Sequence, residues 1–243
     1  MCRLLLVTGE FDPLIVADAF QCMARGDNAD HGHPLKQHPD GWGAASWSKT
    51  GTVHVHRDAN PAFLAPVAAI ASRLEGEALA LHARHTFCHR RGLDYCHPLQ
   101  RGGTVFMHNG VVPGLDEKLG RPTRLDSEDL LEYLTNVNGH FPNQYELAAK
   151  LRQLPNGTTS ANVIAFDGFG AVIINWFDQA LDHHQFYTLF SFETSTQRIV
   201  SSEPLPHIAP REKWQSLGHG HIERIRLVPE KGSFNSIVQG AEK

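Results

Sequence analysis

Directly after Met1-Cys2-Arg3 the chain runs into four consecutive apolar residues, Leu4-Leu5-Leu6-Val7, and Thr8-Gly9-Glu10 stops the run at once. The run is too short for a secretory core or a membrane span. A short apolar run bounded by turn residues reads as a buried strand, predicted over residues 3–8. Pairing in a sheet would hold Cys2 rigidly, where an unpaired terminus would fray. Every later element has to be arranged around that strand.

Asp12-Pro13 opens a helical pattern with Leu14, Ile15, Ala19, Phe20 and Met23 on one face. Residues 25–41, rich in Gly, Asp, His and Pro, read as a long loop. Residues 42–47 and 52–56 form a predicted hairpin about Lys49-Thr50-Gly51. A helix over 62–74 and a strand over 78–83 follow, then a second loop over 85–102. Val105-Phe106-Met107 reads as a short strand ending at His108-Asn109-Gly110. Asp126 or Ser127 is placed to cap a helix over 128–136, and another helix covers 143–153. Strands are expected at 162–167, 171–177, 186–192, 197–201 and 222–228. There is no repeat, low-complexity tract or linker, so one α+β domain over residues 1–243 is expected.

Net charge is −4, from 22 basic and 26 acidic residues, which gives no general attraction to nucleic acid or an anionic membrane surface. Four cysteines, Cys2, Cys22, Cys88 and Cys96, are too few for a disulfide framework in 243 residues. A reduced, cytoplasmic setting is expected, and Cys2 then has to be explained by chemistry or by packing.

Removal of Met1 requires a small second residue, and cysteine qualifies. The product carries a thiol and an α-amine on one residue. An α-amine with a pKa of about 7.7–8.0 suits a general base near neutrality. One residue thus supplies nucleophile and base, a variant of the Ser-His arrangement. Cleaving the side-chain amide of an amino acid also needs oxyanion donors, a cation for the α-carboxylate and an anion for the α-ammonium. Asn109-Gly110 after a strand, Arg84 at the end of another and Asp126 at a helix start offer these. Each has a plainer reading: a hairpin turn, a surface ion pair and a helix cap.

In order along the chain, Met1-Cys2-Arg3-Leu4-Leu5, Asp40-Gly41-Trp42-Gly43, His82-Ala83-Arg84, His97-Pro98, His108-Asn109-Gly110, Asp126-Ser127-Glu128 and Ser201-Ser202-Glu203-Pro204-Leu205 resemble the class II, N-terminal-nucleophile glutamine amidotransferase domain. The resemblance covers about residues 1–205 and is closest to small stand-alone members. It implies an Ntn-hydrolase αββα sandwich with two antiparallel sheets. It also implies that Cys2 forms a γ-glutamyl thioester, with the Asn109 amide and the Gly110 N–H as oxyanion hole. Arg84 would bind the α-carboxylate, Asp126 the α-ammonium, and His97 would lie beside the substrate. No cofactor or metal is implied. The substrate would be glutamine or a γ-glutamyl amide, and ammonia transfer would need a partner protein, because only some forty residues follow position 205. Where many members carry a threonine three residues after the arginine, this chain has Phe87, with Thr86 one residue earlier. The short segment between Gly110 and Asp126, with Val112-Pro113-Gly114, leaves the cover of the pocket open.

Three other readings stand beside this one. A metal-binding protein is suggested by 16 histidines, with His31/His33, His54/His56, His183/His184, His219/His221 and Cys88, His89, Cys96, His97 as candidates, although none has structural-zinc spacing. An acylase of the same fold would need apolar pocket walls instead of Arg84 and Asp126. A catalytically silent partner subunit would keep the fold alone.

Overall fold

A computed structural model describes residues 1–74, 76–87, 90–121, 124–227 and the backbone of 238–239. The first strand, β1 (Cys2–Gly9), is buried along almost its whole length. Helix α1 (Pro13–Arg25) starts at Asp12, whose side chain accepts from the Leu14 N–H at 2.8 Å, and ends on Gly26 in the left-handed region. The predicted hairpin is β2 (Trp42–Trp47) and β3 (Val53–Asp58). The single helix expected over 62–74 is instead a 3₁₀ turn, Ala62–Leu64, followed by α2 (Val67–Arg73). Pro66 is the reason: it lacks an N–H, and it forces Ala65 into an extended conformation, φ −93° and ψ 157°.

β4 (Ala78–Arg84) is followed by a 3₁₀ turn, Leu93–Tyr95, and by β5 (Leu99–Arg101), both inside the segment expected to be all loop. β6 (Thr104–Asn109), α3 (Leu115–Leu119), α4 (Asp126–Leu134), α5 (Gln144–Arg152), β7 (Asn162–Asp167) and β8 (Gly170–Asn175) come next. The strand expected over 186–192 begins only at Phe190. His184–Tyr187 is a 3₁₀ turn that packs Phe186 and Tyr187 inward, and β9 (Phe190–Glu193) follows it. β10 (Gln197–Ser201), β11 (Gln215–Ser216), β12 (His221–Arg226) and β13 (Val238–Gln239) complete the strands. Cys88, His89 and Val228 lie outside the described residues.

The strands form two sheets, ordered β11-β9-β10-β1-β4-β2-β3-β13 and β12-β8-β7-β6-β5. Every pairing is antiparallel except the two-residue contact of β13 with β3. Three apolar layers separate four structural layers. Leu5, Val7, Leu79 and Leu81 meet Phe20 and Met23 of α1. Leu4, Leu6, Ala80 and Trp47 meet Met107, Ile164, Phe166 and Ile173 between the sheets. Phe106, Val163 and Ile174 meet Leu130, Leu134 and Leu147 of the second helical layer. The result is the predicted αββα sandwich of an Ntn hydrolase.

β1 is apolar on consecutive residues because both of its faces are covered. Its even positions face the second sheet and its odd positions face the helices. Cys2 shares parity with Leu4 and Leu6 and so belongs to the space between the sheets. Among the described residues no helix is long and apolar enough to cross a membrane.

Candidate active site

Antiparallel pairing sets Cys2 opposite Arg84 and Leu4 opposite His82. Residues directly opposite project to the same face, so Cys2, His82 and Arg84 share the side that looks toward β6. From β6 come His108 and, one residue later, Asn109. The Cys2 backbone N–H donates to Asn109 Oδ1 at 2.6 Å, while Asn109 Nδ2 is buried with no hydrogen-bond partner. That leaves a desolvated amide donor on the side chain that holds the Cys2 N–H.

Gly110 follows with φ +151°, and a Cβ there would collide with the Ser160 carbonyl. Only glycine fits, so Asn109-Gly110 marks a close approach to the Ser160 segment of the same chain and not a two-residue hairpin turn. Gly43 does the same for another segment: the His97 carbonyl and the Pro98 ring lie where its side chain would be. This lets residues 96–98 cross β2 and brings His97 over His82, with ring centroids 4.3 Å apart.

Met1, Cys2, Arg84, Thr86, Phe87, Arg90, His97, His108, Gly110 and Asp126 line one cavity of about 380 Å³. Five of the six residues singled out from the sequence are on its wall, and the sixth, Asn109, is buried behind Cys2. Arg84 is buried, with Nη1 lacking a hydrogen-bond partner and its guanidinium 5.9 Å from the Tyr95 ring centroid. The cap expected at the start of α4 is absent. The N-cap is Leu125, and Asp126 is the first helical residue, its Oδ2 accepting from the Val112 N–H at 3.0 Å. Ser127 instead lies 2.9 Å from His108 Nδ1. Helix α3 sits between Gly110 and Asp126, where the sequence left the cover open. Phe87 and Thr86 both reach the wall, and the Thr86 N–H donates to Asp40 Oδ2 at 2.9 Å.

Burial raises the Cys2 thiol pKa. His82, by its charge and a hydrogen bond, the terminal ammonium of Met1 and Arg84 together outweigh that and leave it at about 6. His97, fully buried and with both ring nitrogens unpartnered, is held well below the usual histidine range by desolvation. His108 is lowered by the same cause, opposed by the nearby Asp126 carboxylate. The His108 carbonyl accepts from His82 Nε2 at 3.2 Å, which leaves Nδ1 as the ring atom not engaged with backbone.

His82 and His108 appeared in the sequence only as motif letters. The available signal was the two-residue spacing of His82 and Arg84 on one strand, which places both on one face. Met1 was expected to be absent from an active form. Here it lines the cavity, its ammonium donating to the His85 carbonyl at 2.6 Å, its carbonyl accepting from the His85 N–H, and Tyr187 Oη donating to its sulfur at 2.7 Å. Cys2, Cys22 and Cys96 are free thiols.

Arg3, too, appeared only as a motif letter. It is fully buried, its guanidinium 4.2 Å from the Phe186 ring centroid, 3.8 Å from Glu203 and in contact with His31. The Leu4 N–H donates to Ser202 Oγ at 2.9 Å, and the Ser202 N–H returns to the Leu4 carbonyl. The Ser201-Ser202-Glu203 motif therefore fastens the start of β1 and so positions Cys2.

A cysteine at the start of a central strand, set between two antiparallel sheets of an αββα sandwich, defines the Ntn-hydrolase class. The chain belongs to the class II glutamine amidotransferases: the family model of that description matches residues 1–167. Among solved structures it is similar to the glutamine phosphoribosylpyrophosphate amidotransferase from B. subtilis complexed with ADP and GMP (15% identity, TM-score 0.62, 94% of this chain and 50% of that one). A structure titled the allosteric regulatory enzyme of purine biosynthesis gives 14% identity and a TM-score of 0.64, over 94% and 50%. A glutamine aminotransferase class-II domain protein from Silicibacter pomeroyi gives 17% and 0.57, over 94% of this chain and 100% of that one. The chain thus spans half the length of the first two. No curated protein sequence matches it.

Proposed function

We propose that this chain is an amidohydrolase that uses Cys2 to cleave the side-chain amide of glutamine or of a γ-glutamyl compound. The observation that carries the reading is the meeting of Cys2, Arg84, Gly110 and Asp126 on one cavity wall, with Asn109 bonded to the Cys2 N–H and its Nδ2 unpartnered. In the active form Met1 is removed, which frees the Cys2 α-amine beside Asn109 Oδ1 and vacates the space that Met1 fills. Arg84 takes the substrate α-carboxylate through its two-pronged guanidinium. Asp126 takes the α-ammonium, and His97 forms part of the wall beside the chain.

The Cys2 thiolate attacks the amide carbon, and the negative oxygen that develops accepts from Asn109 Nδ2 and the Gly110 N–H. The C–N bond breaks as the leaving nitrogen takes the proton held by the Cys2 α-amine or His82. Water then cleaves the γ-glutamyl thioester and releases glutamate. The chemistry needs no cofactor. Residues 1–243 act as one catalytic domain in the cytoplasm, without nucleic acid or membrane. Where the ammonia is used, a partner protein accepts it.

The test is to supply Met1-processed protein, verified by intact mass, with glutamine and a panel of γ-glutamyl compounds and to follow glutamate. Release from at least one of them, abolished in a folded Cys2→Ala variant, is expected. Wild-type release by Cys2→Ala would remove Cys2 from the mechanism.

A further inference from the structure

Away from the cavity, on the outer side of α1, Asp18 and Cys22 are four residues apart and so lie one above the other on one helix face. His207, from the segment between β10 and β11, reaches the same place. A carboxylate oxygen of Asp18, the Cys22 sulfur and a ring nitrogen of His207 all lie within 4.8 Å of one another. Both supports are fixed. α1 is anchored by Ala17, Ala19, Phe20 and Met23, all fully buried. His207 is held in a turn in which the Ile208 and Ala209 N–H groups both donate to the Leu205 carbonyl, at 2.9 and 3.1 Å, with Leu205 and Ala209 buried.

Neither Asp18 nor His207 makes another hydrogen bond or ion pair among the described residues. The Asp27 carboxylate approaches the same sulfur, while Arg25 is engaged with Asp27 at 2.9 Å. Asp18, Cys22 and His207 therefore converge as electron-pair donors, and the neighbouring cation, Arg25, is paired with Asp27.

We propose that Asp18, Cys22 and His207 form a zinc site. A mixed sulfur, nitrogen and oxygen set suits a borderline-soft cation of this kind, whereas magnesium and calcium prefer oxygen alone. Zinc bonds of about 2.0–2.3 Å put tetrahedral donors roughly 3.3–3.8 Å apart, inside the 4.8 Å that bounds these three atoms. On binding, the Cys22 S–H proton is released to solvent and the sulfur–zinc bond forms, with no change of oxidation state. The fourth position goes to water or to Asp27. The ion would tie α1 to the segment that follows Ser201-Ser202-Glu203, the motif that holds β1. None of the histidine pairs suggested by the sequence takes part.

Cobalt(II) is the probe, because a thiolate ligand gives it an intense near-ultraviolet charge-transfer band and tetrahedral coordination gives visible bands. The titration uses full-length protein carrying Cys2→Ala, so that the catalytic thiol cannot report. One equivalent is expected to bind with both signatures and to be displaced by zinc. Adding Cys22→Ser should abolish the near-ultraviolet band, and adding the exposed-site change His207→Ala should weaken binding at least tenfold while the circular dichroism spectrum is kept. Zinc should raise the melting temperature of the parent and not that of the His207→Ala variant. Absence of the thiolate band in the parent, or unchanged binding in His207→Ala, would overturn the site.

Discussion

At the scale of single residues, the Cys2 thiol lies between two opposing electrostatic influences. Burial alone would leave it protonated at neutral pH, and the positive groups around it reverse that. In protein that retains Met1, its alkylation rate should therefore rise with a midpoint near pH 6, measured by mass spectrometry of the Cys2 peptide after iodoacetamide labelling. A midpoint near 9 would show that the surrounding charges do not act on the thiol. Asn109→Ala removes one oxyanion donor and should lower kcat about 10²- to 10³-fold in steady-state glutamate release. A change confined to KM would give Asn109 a different role. Arg84→Lys keeps the charge and loses the fork, so KM should rise roughly 10- to 100-fold, the equivalent of about 1.5–3 kcal/mol for a charged hydrogen bond, with kcat little altered. Cys2, Arg84, Asn109 and Asp126 could all be named from their order in the chain. His82 could not be given a role, because its contact with the thiol runs across a strand pair that the sequence does not declare.

Secondary-structure elements show where local rules suffice and where they do not. Asp12-Pro13 is a legible helix start, and the structure uses it: Asp12 caps and Pro13 takes the first helical position. Asp12→Ala should cost about 0.5–2 kcal/mol and lower the melting temperature by a few degrees in a thermal scan, with glutamate release at moderate temperature unchanged. No loss of melting temperature would show that packing of Phe20 and Met23, and not the cap, sets the start of α1. By the same local logic Asp126 or Ser127 should cap α4, and there it fails. Asp126 is drawn to the Val112 N–H and Ser127 to His108, contacts with residues 14 and 19 positions away. A cap is read from neighbours in sequence, and these side chains answer to neighbours in space. The helix expected over 62–74 broke at Pro66 for a purely local reason that helical periodicity alone passes over.

Over the whole molecule, two buried histidines in loops packed against the sheets, His38 and His97, are kept in neutral form. His38 and His97 are both held well below their ordinary range, with burial as the leading cause. The unfolded chain would bind protons on these rings near pH 6.5 and the folded chain would not. Stability is therefore complete above that pH and falls as the pH drops through it, by up to about 1.4 kcal/mol per pH unit for each such ring. Chemical denaturation at pH 7.5, 6 and 5 should show a falling midpoint. A midpoint unchanged down to pH 5 would mean that these rings can charge in place.

The sequence by itself determined the buried first strand, most of the later strands and the order in which the chemical groups arrive. Those properties rest on short-range patterns, apolar runs and residue types at fixed spacing, which survive without knowledge of contacts, whereas the αββα class was implied by the family that the ordered motifs resemble. The tertiary structure decided the pairing of Cys2 with Arg84, the bond from the Cys2 N–H to Asn109, the approach of His82 to the thiol, and the fastening of β1 by Arg3, Ser202 and Glu203. It also decided the meeting of Cys22 with His207. Each of these joins residues tens to nearly two hundred positions apart. Such contacts follow from strand register and layer packing, and only the folded chain expresses them.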